Sequence, residues 1–283
     1  MFDLSIDENK CNACGVCVEI CKTQKFVFNE NNEVELNNNE CVYCYDCVSM
    51  CPEFAITSTV NYLKTLEKNK LKTKELIDFI NTKRTAGFFD NGQIQSQILE
   101  EIISSVKYSP SFKNKHKLHF TVMQNQAVHN LLIGIKAFFK RLLEITNNKF
   151  YRAMLNAFSS KQDKYYYSKE FISTIRNALN IPDKDLILKN AGAVILIHSN
   201  EDFIFGAEEA VIAAERVAFL AHAHGISSAI NVLVPAGINK NYKLKNALGF
   251  DKHEKVYACV LLGYEKFARI LDVYREPPVI NYF

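Results

Sequence analysis

The chain has 283 residues, 48% of them hydrophobic, and a formal net charge of +3. This length predicts one small module plus one ordinary domain. The N-terminal residues include no basic region followed by an apolar run, and no apolar run approaches the roughly 18 residues of a membrane span, so we expect neither a secretory signal peptide nor a membrane partner.

The small net charge conceals an uneven distribution of charged residues. Residues 1–58 carry ten acidic and three basic side chains, whereas the rest of the chain is basic. A basic body attracts nucleic acids or phosphate-bearing ligands. Because the Lys and Arg residues are scattered rather than arranged in a stripe, we expect no nucleic-acid partner. The opposite charges of the two parts instead indicate two domains that dock on each other. The basic part also suits the binding of an anionic cofactor.

Eight of the nine cysteines follow one spacing that occurs twice. The two runs are Cys11, Cys14, Cys17 and Cys21, and then Cys41, Cys44, Cys47 and Cys51. Thiolates are soft ligands that suit iron–sulfur clusters. The repeated Cys-x-x-Cys-x-x-Cys-x-x-x-Cys run, with Pro52 after the last cysteine, is the pattern of bacterial two-cluster ferredoxins. The sequence therefore predicts two [4Fe–4S] clusters.

In this pattern the fourth cysteine of each run binds the other cluster. We therefore assign one cluster to Cys11, Cys14, Cys17 and Cys51, and the other to Cys41, Cys44, Cys47 and Cys21. Paired zinc sites do not explain the third and fourth cysteines. A disulfide framework needs an oxidising compartment, so the free thiols point to the cytoplasm. Lys22 replaces the proline expected after the first run, which affects local geometry near Cys21.

The chain order predicts three parts. Residues 1–58 form the ferredoxin domain, built from two repeats of about 30 residues, each a strand, turn and helix. Its segment 28–39 is predicted as a polar connection. Residues 59–75 form a lysine-rich linker, and residues 76–283 form the second domain. Helices are predicted from Thr73, over 98–106 and over 207–224. Strands are predicted over 118–123, 192–198, 228–234 and 256–262. Residues 125–190 are predicted to be helical and irregular.

The second domain resembles the flavin-dependent nitroreductase family in four places. Lys83-Arg84-Thr85 resembles its basic-basic-Ser/Thr signature, and residues 108–114 resemble its Ser-Pro-Ser-x-x-Asn element. The alanine-rich helix that ends at His224 and the late Leu-Gly-Tyr at 262–264 are also similar. Behind a ferredoxin domain, these motifs resemble ferredoxin–nitroreductase fusions. The resemblance implies an α+β fold, with helices around a mixed sheet, and a homodimer.

The resemblance also implies an FMN site and its residues. The residues carried over are Lys83, Arg84, Thr85 and Arg275 for the phosphate, and Asn114 and Ser111 for the flavin ring. A dianionic phosphate is suited to such cations and hydroxyls. Gly87 stands where the family often has a second basic residue, so one phosphate contact is missing or is supplied by Arg84.

These features predict an FMN-dependent oxidoreductase of the nitroreductase type. Its clusters would relay electrons to or from the flavin, and it would reduce nitro-aromatic or quinone-like acceptors. The donor would be NAD(P)H or reduced ferredoxin; the chain has no GxGxxG fingerprint for a stably bound dinucleotide. One alternative is an electron carrier or redox sensor that serves a protein partner. Another is ene reduction or dehalogenation on the same fold. The sequence identifies no catalytic acid or base.

Overall fold

A computed structural model of the protein describes residues 4–58, 71–148, 168–181, 184–267, 269–270 and 276–283. The chain forms two compact units. The first unit comprises the residues through Leu76 together with Pro110–His116, and the second comprises Ile77–Ser109 and Lys117–Phe283. The predicted linker, 59–75, lies largely outside the described residues. The sequence predicted one domain over 76–283, whereas Pro110–His116 belongs to the first unit.

The first unit contains two copies of a strand–loop–helix–strand arrangement. The first copy runs through β1 (Leu4–Ile6), α1 (Val16–Ile20) and β2 (Phe26–Phe28), and the second through β3 (Val34–Leu36), α2 (Asp46–Met50) and β4 (Ile56–Ser58). β1 pairs with β4 and β2 pairs with β3, both antiparallel. The two pairings join the copies, as expected for an internal repeat.

Segment 28–39, predicted as a polar connection, contains the turn and the second strand of the β2–β3 hairpin. Asn29 Oδ1 accepts hydrogen bonds from the backbone N–H groups of Asn31 and Glu33, each at 2.9 Å. This side chain closes the turn as Asn side chains do. Val34 and Leu36 are less exposed than Glu35, which is the two-residue alternation of a strand. The polar composition of the segment concealed that alternation.

The second unit is built on a four-stranded sheet. Its elements are α3 (Thr73–Thr82, which begins in the first unit), α4 (Ser96–Ser105), β5 (His119–Gln124), α5 (Gln126–Asn147), α6 (Lys169–Asn180), β6 (Ala193–Asn200), α7 (Gly206–Ala223), β7 (Ser227–Ile230), α8 (Leu233–Asn239), α9 (Tyr242–Ala247) and β8 (Glu254–Gly263). The strand order is β5-β6-β8-β7, and each neighbouring pair is antiparallel. Thr85 forms an isolated parallel bridge with Ser228 of β7, and this bridge is the parallel pairing of the expected mixed sheet.

Helices cover both faces of this sheet. Leu196 points into an apolar cluster with residues of α5, α6 and α8, whereas its neighbour Ile195 points into a second cluster with residues of α4 and α7. This alternation explains why β6 reads as a continuous apolar run, since both of its faces are buried. Leu131, Ile135 and Phe139 supply the buried stripe of α5 at helical spacing.

The strand predicted over 228–234 ends early. β7 stops at Ile230, and α8 begins at Leu233. The Asn231 side chain accepts a hydrogen bond from the Val234 N–H at 2.9 Å and donates to the Ile187 carbonyl at 2.7 Å. An Asn side chain that satisfies a free N–H at the start of a helix favours the helix over a continued strand. Among the described helices, none combines the length and apolar character needed to cross a bilayer.

Candidate functional site

The cysteines of the first unit surround two separate cavities. The first cavity is lined by Cys11, Cys14, Cys17 and Cys51. The second is lined by Cys21, Cys41, Cys44 and Cys47. Each cavity therefore brings together three cysteines of one run and the fourth cysteine of the other. Four convergent thiols are the donor set that a [4Fe–4S] cluster requires.

Left-handed backbone turns shape the two cysteine loops in the same way. Ala13 and Gly15 have φ values of 56° and 77°, and Tyr43 and Tyr45 occupy the equivalent positions with 52° and 60°. The left-handed region costs a non-glycine residue about 1–2 kcal/mol. Its recurrence in both loops indicates that the loops are held in this shape to direct their cysteines inward.

Backbone N–H groups point at several of the sulfur atoms. The N–H of Tyr43 donates to Cys41 Sγ at 3.3 Å, and the N–H of Ala55 donates to Cys51 Sγ at 3.3 Å. The N–H of Lys25 donates to Cys21 Sγ at 3.2 Å. Hydrogen bonds of this kind stabilise negative charge on sulfur and are one of the factors that set the reduction potential of a cluster.

Partial loss of solvent around sulfur is the largest influence on the pKa of several cluster cysteines. It raises the pKa of Cys17 and Cys44, and it raises the pKa of Cys47 to about 12. Burial is the largest influence on Cys21 and by itself would raise its pKa. Hydrogen bonds from the Lys25 N–H and from Thr23 together outweigh burial, so the pKa of Cys21 is lowered. Metal ligation requires thiolates. A bound iron centre would supply the positive charge that these buried sulfurs lack.

Lys83, predicted to contact a phosphate, is already paired in the second unit. Its Nζ lies 2.8 Å from Glu215 Oε1 of α7 and 4.8 Å from the centroid of the Phe219 ring. The carboxylate neutralises most of the charge that Lys83 would offer to an anion. Sequence reasoning could not detect this pair, because the two residues lie 132 positions apart.

Three other cations converge on the backbone of the same motif. Arg84 donates to the Lys83 carbonyl at 2.9 Å and to the Asn81 carbonyl. Arg269 donates to the Thr85 carbonyl at 2.6 Å, and Lys189 donates to the Ala86 carbonyl at 3.1 Å. Burial lowers the pKa of Lys189. Such a group gains from a nearby anion.

Sequence reasoning missed Lys189, because no motif marks it. It also preferred Arg275, which lies outside the described residues, to Arg269. A left-handed turn at Lys189 and Asn190, with φ values of 56° and 59°, brings the lysine to Ala86. The Asp185 carboxylate holds that turn by accepting hydrogen bonds from the N–H groups of Leu188 and Asn190, but only the tertiary structure shows that it faces Ala86.

The predicted Ser-Pro-Ser-x-x-Asn element is divided between the units. In the second unit, Ser109 Oγ is buried and makes no hydrogen bond within the described part of the chain. A buried hydroxyl of this kind is suited to a hydrogen-bonding ligand. In the first unit, Asn114 Nδ2 donates to the Tyr43 carbonyl at 2.6 Å, and Asn114 Oδ1 lies 2.8 Å from His116 Nε2. Ser111 Oγ accepts from the His116 N–H at 3.2 Å.

Known proteins resemble both parts of the chain. The family model described as "Nitroreductase family" matches residues 80–264, and the one described as "4Fe-4S dicluster domain" matches residues 7–55. A ferredoxin from Methanothermococcus thermolithotrophicus is 34% identical over 56 residues, which is 19% of this chain and 93% of that protein. An archaeal-type glutamate synthase (NADPH) from Thermotoga maritima is 31% identical over 87 residues, or 30% of this chain, but the chain spans only 17% of its length.

A solved structure has the same fold as the larger part of the chain. It is a nitroreductase with bound FMN from Bacteroides fragilis, with a TM-score of 0.56 and 19% identity; the match covers 74% of this chain and 98% of that one. Together with the family match over residues 80–264, it confirms the expected α+β nitroreductase fold. The chain therefore belongs to the nitroreductase family and carries a two-cluster ferredoxin-type domain at its N-terminal end.

Proposed function

We propose that the protein is an FMN-dependent oxidoreductase in which two [4Fe–4S] clusters exchange electrons with the flavin. The observation that carries the proposal is the grouping of eight cysteines, four around each of two cavities, in the same chain as a nitroreductase-family domain. Iron–sulfur clusters transfer single electrons, and flavins exchange either single electrons or hydride. A chain that holds both can couple a one-electron donor to a two-electron acceptor.

The proposed cluster ligands are the two groups of cysteines that line the cavities. Cys11, Cys14, Cys17 and Cys51 would hold one cluster, and Cys21, Cys41, Cys44 and Cys47 the other. The backbone N–H groups of Tyr43 and Ala55 would stabilise the bound sulfurs, since each donates to a cysteine sulfur at 3.3 Å.

The proposed FMN site centres on Lys83, Arg84 and Thr85. Support comes from the cations Lys189 and Arg269, which both donate to carbonyls of this segment. The buried Ser109 hydroxyl adds a group that lacks a partner among the described residues. Because Glu215 engages Lys83 at 2.8 Å and Glu265 engages Arg269 at 3.1 Å, we expect Lys189 to carry more of the phosphate binding than either of them. The roles of Ser111, Asn114 and Arg275 remain predictions.

Substrates and partners complete the proposal. The acceptor would be a nitro-aromatic or quinone-like molecule, and the donor NAD(P)H or a reduced ferredoxin. The protein would act in the cytoplasm as a homodimer. The excess of acidic residues in 1–58 is a suitable docking surface for a basic electron-transfer protein.

The experiment follows electron entry under anaerobic conditions. The full chain, loaded with clusters and FMN, is mixed with NADPH, NADH or reduced ferredoxin, and flavin and cluster absorbance are followed before a nitro-aromatic compound is added. We expect reduction by one of these donors and reoxidation by the nitro compound. If the flavin is reduced but no small-molecule acceptor reoxidises it, the protein is an electron carrier instead.

Cysteine variants separate the cluster relay from the flavin reaction. We expect Cys47→Ser to abolish reduction by ferredoxin, whereas Cys259→Ser, which alters a buried cysteine outside both cavities, keeps it. Equal ferredoxin-dependent rates in these two variants would contradict the relay while leaving the flavin reaction intact.

A further inference from the structure

Three metal-binding side chains meet at one end of the sheet in the second unit. His119 is the first residue of β5, and Glu254 is the first residue of β8. Both strands flank β6, in which His198 lies directly opposite His119. Each side chain offers one ligand atom, and these atoms all lie within 4.8 Å of one another. Three neighbouring strands therefore hold two imidazoles and a carboxylate in one place.

The distances approach those of a metal site. Glu254 Oε1 lies 3.4 Å from His119 Nδ1 and 2.5 Å from His198 Nδ1. Tetrahedral ligands at about 2.0–2.1 Å from zinc lie about 3.3 Å from each other. The pair formed by His119 and Glu254 already has this separation. The shorter contact is a hydrogen bond, which would open by about 0.8 Å when a metal ion replaces its proton.

The surroundings of His198 fix the direction of its ring. Its Nε2 lies 2.9 Å from Thr121 Oγ1, and the Phe250 ring packs at 4.4 Å between centroids. Metal-binding histidines commonly use their second ring nitrogen for an outer hydrogen bond of this kind.

The site is closed on one side and open on the other. The side chains of His198 and Glu254 are 8% and 16% exposed, whereas that of His119 is 66% exposed. An ion could therefore enter past His119 and keep a water molecule in its remaining position. Three protein ligands and one open position form a common coordination of zinc.

We propose that His119, His198 and Glu254 bind one divalent transition-metal ion of the zinc type. Two imidazoles and a carboxylate are borderline ligands that prefer such ions to Mg²⁺ or Ca²⁺, which favour all-oxygen sites. The bound ion would join the starts of β5 and β8 to β6. It would thus stabilise this end of the sheet. This binding would not depend on the clusters in the first unit.

Zinc binding is measured on the full chain, prepared anaerobically with its clusters intact so that the cluster cysteines are occupied. Equilibrium dialysis with Zn²⁺ gives the affinity and stoichiometry, and Mg²⁺ serves as the control ion. His119→Gln removes a mostly exposed ligand and leaves the fold undisturbed. His224→Gln is the matched control, because His224 pairs with Glu101 at 3.6 Å but has no place in the group of three.

We expect one zinc ion per chain in this site. His119→Gln should weaken binding by more than the 10- to 100-fold typical of losing an outer hydrogen-bond partner, and Thr121→Val should weaken it by about that amount. His224→Gln should leave the affinity unchanged. Zn²⁺ but not Mg²⁺ should raise the melting temperature of the wild type. Equal zinc affinity in His119→Gln and His224→Gln, or no saturable binding at all, would show that Glu254 and His198 form only a buried hydrogen-bonded pair.

Discussion

The two units of this protein build their cores from different materials. Among the described residues, the buried apolar cluster of the first unit contains Cys17, Phe26, Cys47, Val48 and Ile56, and two of these five are predicted cluster ligands. The second unit has two apolar clusters, one on each face of a sheet. Apolar burial contributes about 25 cal/mol per Å². We therefore expect apolar burial to stabilise the second unit more than the first, which has little apolar surface to bury.

Backbone conformation deepens this contrast. In residues 4–58, left-handed φ values occur at Ala13, Gly15, Gln24, Tyr43, Tyr45 and Phe54, and at Asn32 in the turn between β2 and β3. Gln24 and Phe54 both follow the fourth cysteine of a run by three positions, so the pattern repeats with the cysteines. Sparsely populated conformations persist only where the surroundings enforce them. In the first unit the enforcing groups would be the clusters, which supply folding energy as structural metals do.

Removal of iron should have the largest effect and should affect the two units differently. We expect the amides of α1, α2 and their strands to lose their protection from hydrogen exchange, while β6 and β8 keep theirs. Hydrogen exchange by mass spectrometry, with and without the clusters, measures this. Cys259→Ala is the control, because Cys259 is buried in β8 and should leave the iron content unchanged. If residues 4–58 kept full protection from hydrogen exchange without iron, the first unit would not depend on its clusters for folding.

The second largest effect should come from shortening a side chain in the apolar core of the second unit, which should lower the free energy of unfolding. Ile195 is fully buried in β6. Ile195→Ala should reduce the free energy of unfolding by about 2–5 kcal/mol, because it leaves a cavity. Urea unfolding followed by circular dichroism gives this value, and the visible absorbance of the clusters should not change. Ile133→Ala on α5 is the matched control, since Ile133 is 54% exposed. Equal losses in the two variants would argue against a packed core at Ile195.

Two left-handed glycines allow a smaller test in both units. Gly249 has a φ of 73°, and no atom of the described residues lies within 4 Å of the position that a Cβ would take there. Gly249→Ala should therefore cost about 1–2 kcal/mol from backbone strain alone. Gly15 has a φ of 77°, and a Cβ there would lie 2.9 Å from the Phe28 ring. Gly15→Ala should cost more and should accelerate loss of the first cluster in urea. A smaller cost at Gly15 than at Gly249 would contradict this steric argument.

The smallest expected effect is a pH dependence of the free energy of unfolding, and it should arise in the second unit. Burial, the largest influence, lowers the pKa of His198 below its usual value of 6.5. The folded state then binds this proton less tightly than the unfolded state. The resulting stability is complete above about pH 6.5 and is lost as the pH falls through the lowered folded pKa. Urea unfolding of metal-free protein between neutral and mildly acidic pH measures the loss.

His198→Gln provides the reference for this dependence, because it removes the titrating ring. We expect the variant to lack the part of the pH dependence that lies below the unfolded pKa of His198. His253→Gln, which alters a half-exposed histidine, should retain it. Identical pH profiles for the wild type and His198→Gln would mean that the buried ring does not contribute.

Several features of the fold were predictable because their signals are local. The cysteine spacing predicted the repeat and its two groups of four residues. The continuous apolar run predicted β6, helical spacing predicted α4, and the alanine-rich run before Gly225 predicted α7. The predictions failed in two places. Asn231 ended β7 early by bonding to Ile187 and Val234, and the polar segment after Phe28 hid the short strand β3.

The sequence by itself determined the ligand types, the internal repeat and the family, since these depend on residue identity and short spacing. Only the tertiary structure decided which groups surround the candidate sites of the second unit. It paired Lys83 with Glu215, brought Lys189 and Arg269 to the same motif, and gathered His119, His198 and Glu254. Each of these contacts joins residues far apart in the chain. Sheet register and helix packing create such contacts, and no local pattern encodes them.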